Sequence, residues 1–192
     1  LGLEIYTPSA YIFPSKIAKY QALLKDKGTS LTQRGREEGI RRLMSVNLLK
    51  RLESSVYSFN LTLGRIKELI EKTIAAIDKF EKYGVADLDM YEASADTDWD
   101  VDDQNTDFFS VGKKVKIDLA DMDYVSWRDA LRKDAEVLGL VTMMVSDITP
   151  EHDTKLQTLL QLLSDKIENP INDGNKKVLV FSAFSDTADY LF

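Results

Sequence analysis

The sequence predicts a mainly α chain: a long antiparallel helical hairpin or bundle that ends in a short strand, a turn and the start of a helix, as an α/β unit begins. Three observations predict this. Apolar residues recur at three- and four-residue steps from about residue 33 to residue 83. A second stripe of the same spacing, from Trp127 to Ile148, follows a stop at Tyr83-Gly84 and an acidic interval. Val178-Leu179-Val180-Phe181 is a continuous apolar run of the kind buried on both faces of a parallel sheet.

Residues 1–14 hold Pro8 and Pro14 among Tyr6, Tyr11 and Phe13, an extended or turning segment that packs its aromatics. Ser15 is placed to cap a short helix reaching about Lys25, and Asp26-Lys27-Gly28-Thr29-Ser30 reads as a loop. The long helical pattern opens at Thr32 or Gln33. Its stripe runs through Ile40, Leu43, Val46, Leu49, Leu52 and Val56, then Phe59, Leu63, Ile66, Ile70, Ile74, Ile77 and Phe80, with Glu68/Lys72 and Asp78/Lys82 as i,i+4 pairs on the solvent side. Gly84 stops it, because glycine takes the left-handed conformation past a helix end without a Cβ penalty. A continuous helix would be on the order of 75 Å long, too long for a compact domain of this size. The pattern is one long helix or two nearly collinear ones, with Ser54-Ser55 or Gly64 as the places for a break, and either way the segment projects from the rest.

Residues 85–112 form an acidic tip around Trp99. The spaced aspartates of Asp96-Thr97-Asp98-Trp99-Asp100-Val101-Asp102 resemble a calcium loop, but the glycine and closing glutamate such a loop needs are absent, which favours a solvated loop. Lys113 to Leu119 alternates well enough for a short strand or an extended return. Trp127, Leu131, Leu138, Val141, Val145 and Ile148 then mark a helix that returns antiparallel to the first. Thr149-Pro150 reads as N-cap and first position of another, carrying Leu156, Leu159, Leu160, Leu163 and Ile167 and ending before Asn169-Pro170. After a turn at Asp173-Gly174 comes the apolar run, which has no obvious partner strands in this chain, and Ser185-Asp186-Thr187 opens a last helix.

Composition is that of an ordinary soluble protein, 44% hydrophobic and 30% charged over 192 residues. No apolar run approaches the roughly 20 residues that span a bilayer, and no basic region with an apolar core opens the chain, so neither membrane insertion nor export is expected. The absence of cysteine excludes disulfides and thiolate chemistry and suits a cytoplasmic location. Leu1-Gly2 in place of methionine predicts a processed or internal end. The net charge of −7 is uneven: ten Lys/Arg face five Asp/Glu over residues 1–56, whereas three face twelve over 84–124. A basic N-terminal third therefore stays available for phosphates.

Catalytic equipment is thin. The sequence has no Gly-x-x-x-x-Gly-Lys-Ser/Thr, no Gly-x-Ser-x-Gly and no glycine-rich phosphate loop. His152 stands between Glu151 and Asp153 with no partner motif, and is read as a surface residue rather than a general base. Asp121/Asp123 could serve acid–base chemistry, yet such pairs arise by chance in a chain this acidic. No catalytic, metal or cofactor-binding residue is assigned.

Two stretches carry a resemblance. Leu48-Leu49-Lys50-Arg51-Leu52-Glu53-Ser54-Ser55-Val56, followed by Phe59 and Leu63, is similar to the element near the end of the first RecA-like lobe in bacterial Swi/Snf-type superfamily-two helicase-like ATPases. Lys155-Leu156 through Leu163, then Lys177 through Leu191, resembles the approach to motif IV and motif IV itself, at the first strand of the second lobe. The resemblance spans nearly the whole chain from Tyr6-Thr7-Pro8 onward but is specific only in those stretches. It implies three parts: residues 1–56, the end of the first lobe with connecting helices; 57–150, a helical protrusion carrying the acidic loop; and 151–192, the beginning of the second lobe. The Walker motifs would precede Leu1 and the arginine finger would follow Phe192.

The resemblance implies an ATP-dependent DNA translocase as parent, with ATP and magnesium bound outside this fragment, which alone would not be an enzyme. It places motif IV contacts to the nucleic-acid backbone on Ser182, Phe184, Ser185 and Thr187, where hydroxyls and free N–H groups suit a phosphate oxygen. Asp186 can instead cap its own helix. Arg34, Arg36, Arg41, Arg42, Lys50 and Arg51 form a basic cluster suited to following a duplex, with Arg41, Arg42, Lys50 and Arg51 as the contact candidates. The alternative is a solvated face paired with Glu37, Glu38 and Glu53. Partners are then duplex DNA and the remaining RecA-like lobes of the parent, with a homodimer of the fragment also open. The rival reading is a non-catalytic helical interaction module whose stripe near residues 40–80 forms a coiled coil with a partner or with itself.

Overall fold

The computed structural model describes residues 1–25, 32–84 and 117–192. Six helices lie among them: α1 (Ile17–Lys25), α2 (Gln33–Ser54), α3 (Val56–Tyr83), α4 (Tyr124–Ser146), α5 (Thr154–Glu168) and α6 (Ser185–Leu191). The loop expected at 26–30, the acidic tip with its cation-loop spacing, and residues 113–116 of the expected return strand fall outside the described residues. Ile117 and Asp118 have no regular structure, and Leu119–Asp121 is a 3-10 turn.

α3 and α4 are the frame. On α3 the buried series is Phe59, Leu63, Ile66, Ile70, Thr73 and Ile77; on α4 it is Trp127, Leu131, Asp134 and Leu138, continued by half-buried Val141 and Val145. Both series step by four and three, the 3.5-residue period that keeps two helix seams in register. The helices run antiparallel. Phe80 near the end of α3 meets Tyr124 at the start of α4 edge-on at 5.4 Å, and Arg128 donates to Asp78 at 2.8 Å.

The pattern over 33–83 is two helices because Ser55 is extended (φ −155°, ψ 147°). Its N–H donates to the Arg51 carbonyl at 2.9 Å, closing α2, and its Oγ accepts from the Ser58 N–H at 3.0 Å, opening α3. One serine thus ends one helix and caps the next. Gly84 (φ +67°) ends α3 as expected, its N–H on the Phe80 carbonyl at 2.8 Å.

The buried face of α2 corrects the sequence reading. It consists of Gln33, Glu37, Ile40, Met44, Asn47, Leu48 and Arg51, whereas Val46, Leu49 and Leu52 of the expected stripe are exposed. Polar residues occupy this seam because each meets a built partner. The Glu37 carboxylate accepts from the Ser9 N–H at 2.9 Å, the Ser9 hydroxyl and the Gln33 amide. Burial pushes the Glu37 carboxyl up and these three hydrogen bonds oppose it.

The N-terminal segment threads between α2 and α4 in 3-10 turns and buries Leu3, Ile5 and Tyr6. Asp134, the polar member of the α4 seam, accepts the N–H groups of Gly2 and Glu4, both at 2.7 Å. Trp127 Nε1 donates to the Glu4 carbonyl at 3.1 Å. A single antiparallel bridge, Ile12 with Met122, joins this segment to the chain entering α4.

The C-terminal third departs furthest from expectation. No strand forms at Val178–Phe181, nor anywhere else among the described residues. Leu179 and Phe181 are 83% and 89% exposed, and no neighbouring segment pairs with their backbone. A strand needs partners for its N–H and C=O groups, and the described residues supply none there. The preceding helix begins at Thr154 rather than Pro150, because Asp153 and not Thr149 caps it, its Oδ1 accepting from the Leu156 N–H at 3.0 Å. Thr149 and Pro150 instead belong to a turn in which the Thr149 carbonyl accepts from His152 and Asp153.

Candidate functional site at the helix junction

The chemistry of the molecule concentrates where α2 breaks into α3. Arg51 occupies the last turn of α2 on its buried face and is 1% exposed. Its Nη1 donates to Asp186 of α6 at 2.8 Å and to Ser58 at 3.1 Å, and its guanidinium lies 4.6 Å from the centre of the Phe184 ring. Arg65, two turns into α3, binds the same carboxylate through two nitrogens, at 2.8 and 3.1 Å. The N-cap position of α6 is Phe184, which has no side-chain cap bond, and the Asp186 carboxylate binds both arginines.

Hydroxyls complete the contact. Thr187 Oγ1 lies 2.9 Å from Ser54 Oγ and 3.0 Å from Ser55 Oγ, with Ser182 Oγ at 3.5 Å from Ser54. Lys155, in the first turn of α5, donates to the carbonyls of Glu53 and Ser54, setting a cation at the C-terminal end of α2 where the helix dipole favours it. Tyr190 stacks on Tyr57 at 4.9 Å and 7°, and its hydroxyl donates to Asp153 at 3.2 Å. Burial and then the Asp153 charge hold the Tyr190 hydroxyl above its ordinary pKa. A cleft of about 310 Å³ opens between these elements, lined by Ser54, Lys155, Leu156, Phe181, Ser182 and Thr187.

The sequence-predicted contact residues therefore divide. Arg51, Phe184 and Thr187 are brought together and buried, their groups engaged within the chain. Ser182 is exposed at the cleft, its Oγ accepting from the Phe184 N–H at 3.2 Å, and Ser185 is half-buried. Lys50 faces solvent. Arg41 and Arg42 lie about 15 Å up the helix at 1.5 Å per residue. Arg41 pairs with Glu38 at 2.6 Å and approaches Glu4 at 3.6 Å, while Arg42 is largely exposed with Glu38 at 3.6 Å. No family model, curated protein or solved structure matches this chain.

Arg65 and Lys155 were not singled out by the sequence. Neither carries a local signal, because their partners lie about a hundred residues away and face them only after folding. The other candidates have structural roles. Asp121 receives Lys16, Lys19 and the Tyr20 hydroxyl, and the Lys19 and Tyr20 bonds hold its carboxyl well below the ordinary range. Asp123 caps α4 through the Ser126 N–H at 3.0 Å. His152 is exposed, its Nδ1 3.2 Å from Thr149 Oγ1. Among the described residues no three histidines or carboxylates converge as a metal site would require.

Proposed function

We propose that this chain is the inter-lobe helical region and the beginning of the second lobe of a Swi/Snf-type ATP-dependent DNA translocase. One observation carries the proposal. The two stretches that resemble that family, 48–56 and 177–191, lie more than a hundred residues apart and meet at the junction through Arg51, Asp186, Ser54, Ser55 and Thr187. Such an arrangement suits a coupling element, because a shift of α6 and the segment before it acts directly on the α2–α3 break. The exposed Arg42, Lys50 and Ser182 are the residues best placed to meet a phosphate backbone, and any such binding falls steeply with salt. The chain carries no phosphate loop, so in this reading ATP and magnesium are held elsewhere in the parent protein.

The rival, a coiled-coil interaction module, relied on a free stripe over residues 40–80. From Phe59 to Ile77 that stripe packs in the chain's own core, which weakens the ground for it, while Val46, Leu49 and Leu52 stay exposed. The test is ATP hydrolysis by the longer product of the gene, with and without duplex DNA. DNA-stimulated hydrolysis supports the proposal. A product that ends at these same residues, or one without ATPase activity, sinks it.

A further inference from the structure

The outer side of α4 is apolar where it meets water. Residues 137–146 contain no charged side chain on any face, although Leu140 and Met144 are 61% and 78% exposed. A helix apolar all round is ordinarily covered, and an exposed apolar face of this kind marks an interaction surface. α5 presents a second such stripe: none of its residues is buried, and Leu160, Leu163 and Ile167 share one face by their spacing. Leu160 and Ile167 are exposed and Leu163 is half-buried.

We propose that these two faces cover each other between two copies of the chain, α4 of one copy against α5 of the other, in a two-fold dimer. Several features point to a second copy as the occupant. The stripes match in antiparallel register, with Val137 opposite Ile167, Leu140 opposite Leu163 and Met144 opposite Leu160. In that register Glu136 and Lys166 fall on the same flank of the pair, so opposite charges meet. A two-fold axis makes the contact twice, satisfying both unpartnered faces of both copies. The adaptable Met144 closes one end of the α4 stripe, with exposed Met143 on its flank. The pairing involves no residue of the junction and stands independently of the translocase proposal.

Sedimentation equilibrium of the 192-residue chain tests it. The expected result is a species of twice 21.8 kDa at about 100 µM, a concentration at which micromolar dimers are populated. Leu140→Asp and Leu160→Asp alter exposed positions and each weakens association by at least about tenfold. Glu136→Lys weakens it, and Glu136→Lys combined with Lys166→Glu restores it. The absence of cysteine permits a direct placement: Leu140→Cys chains mixed with Leu163→Cys chains join through a short bismaleimide. A monomer throughout the concentration range overturns the inference. So does a crosslink that forms only when both cysteines are in one chain, since α5 then folds back on its own α4.

Discussion

Arg51→Ala is the most informative single change at the junction. It deletes a guanidinium that is 1% exposed, with bonds to Asp186 and Ser58 and a face on Phe184. Stranding a buried charge costs about 3–5 kcal/mol, but Asp186 keeps both nitrogens of Arg65, so the expected loss is about 2–3 kcal/mol. Asp186→Ala leaves two arginines facing each other and costs the full amount, about 3–5 kcal/mol. Arg65→Ala removes a partly exposed donor pair and costs about 1 kcal/mol. The loss is local, because α6 docks on α3 while the α3–α4 seam has its own core. Amide exchange of Ala188 to Leu191 is the assay, with urea unfolding followed by circular dichroism for the frame. Exchange protection is lost in the order Asp186, Arg51, Arg65, and the Arg51/Asp186 double-mutant cycle gives a coupling of about 1.5–3 kcal/mol. Exchange in α6 that changes by less than about 0.5 kcal/mol in all three variants refutes it.

Three further outcomes follow from the frame. Asp134→Ala leaves the buried N–H groups of Gly2 and Glu4 without their acceptor and lowers unfolding stability by about 2–3 kcal/mol, with the N-terminal segment exchanging first. Leu138→Ala, at a fully buried seam position, costs about 2–5 kcal/mol in urea unfolding, whereas Leu140→Ala, two residues on and exposed, changes it by less than about 0.5 kcal/mol at concentrations low enough to keep the chain monomeric. Asp121 is held below its ordinary pKa by Lys19 and Tyr20, so its contribution is present above about pH 4 and is lost as pH falls through the depressed folded value. Melting temperature against pH therefore falls less steeply below about pH 4 for Asp121→Asn than for the native chain.

Legibility tracked how local each signal was. The α3 seam and the antiparallel α4 were readable because Phe59 to Ile77 and Trp127 to Leu138 repeat at a period that sequence alone displays. The sequence offers Ser54-Ser55 and Gly64 alike as break sites; the extended Ser55 takes the break, since serine is both a poor interior residue and a good cap, and α3 runs on through Gly64. The α2 face was misread from Leu43 to Leu52, because apolar spacing favours Val46 and Leu49 while the fold buries Glu37, Asn47 and Arg51 against distant partners. Arg51 was singled out as a surface cation for the same reason: nothing in its neighbourhood announces a carboxylate 135 residues later. The run at Val178–Phe181 has strand composition, but strand formation depends on neighbours that composition does not supply. Thr149-Pro150 lost to Asp153 by a few residues, the ordinary uncertainty of a helix start with two capping residues close together.

The most direct test of the coupling role is the ratio of DNA-stimulated to unstimulated ATP hydrolysis in the longer gene product, native against Arg51→Ala. The expected result is DNA stimulation in the native protein and its loss when the Arg51–Asp186 contact is removed. Undiminished stimulation in Arg51→Ala would contradict the junction as the coupling element, and no ATP hydrolysis in the native protein would contradict the translocase proposal itself.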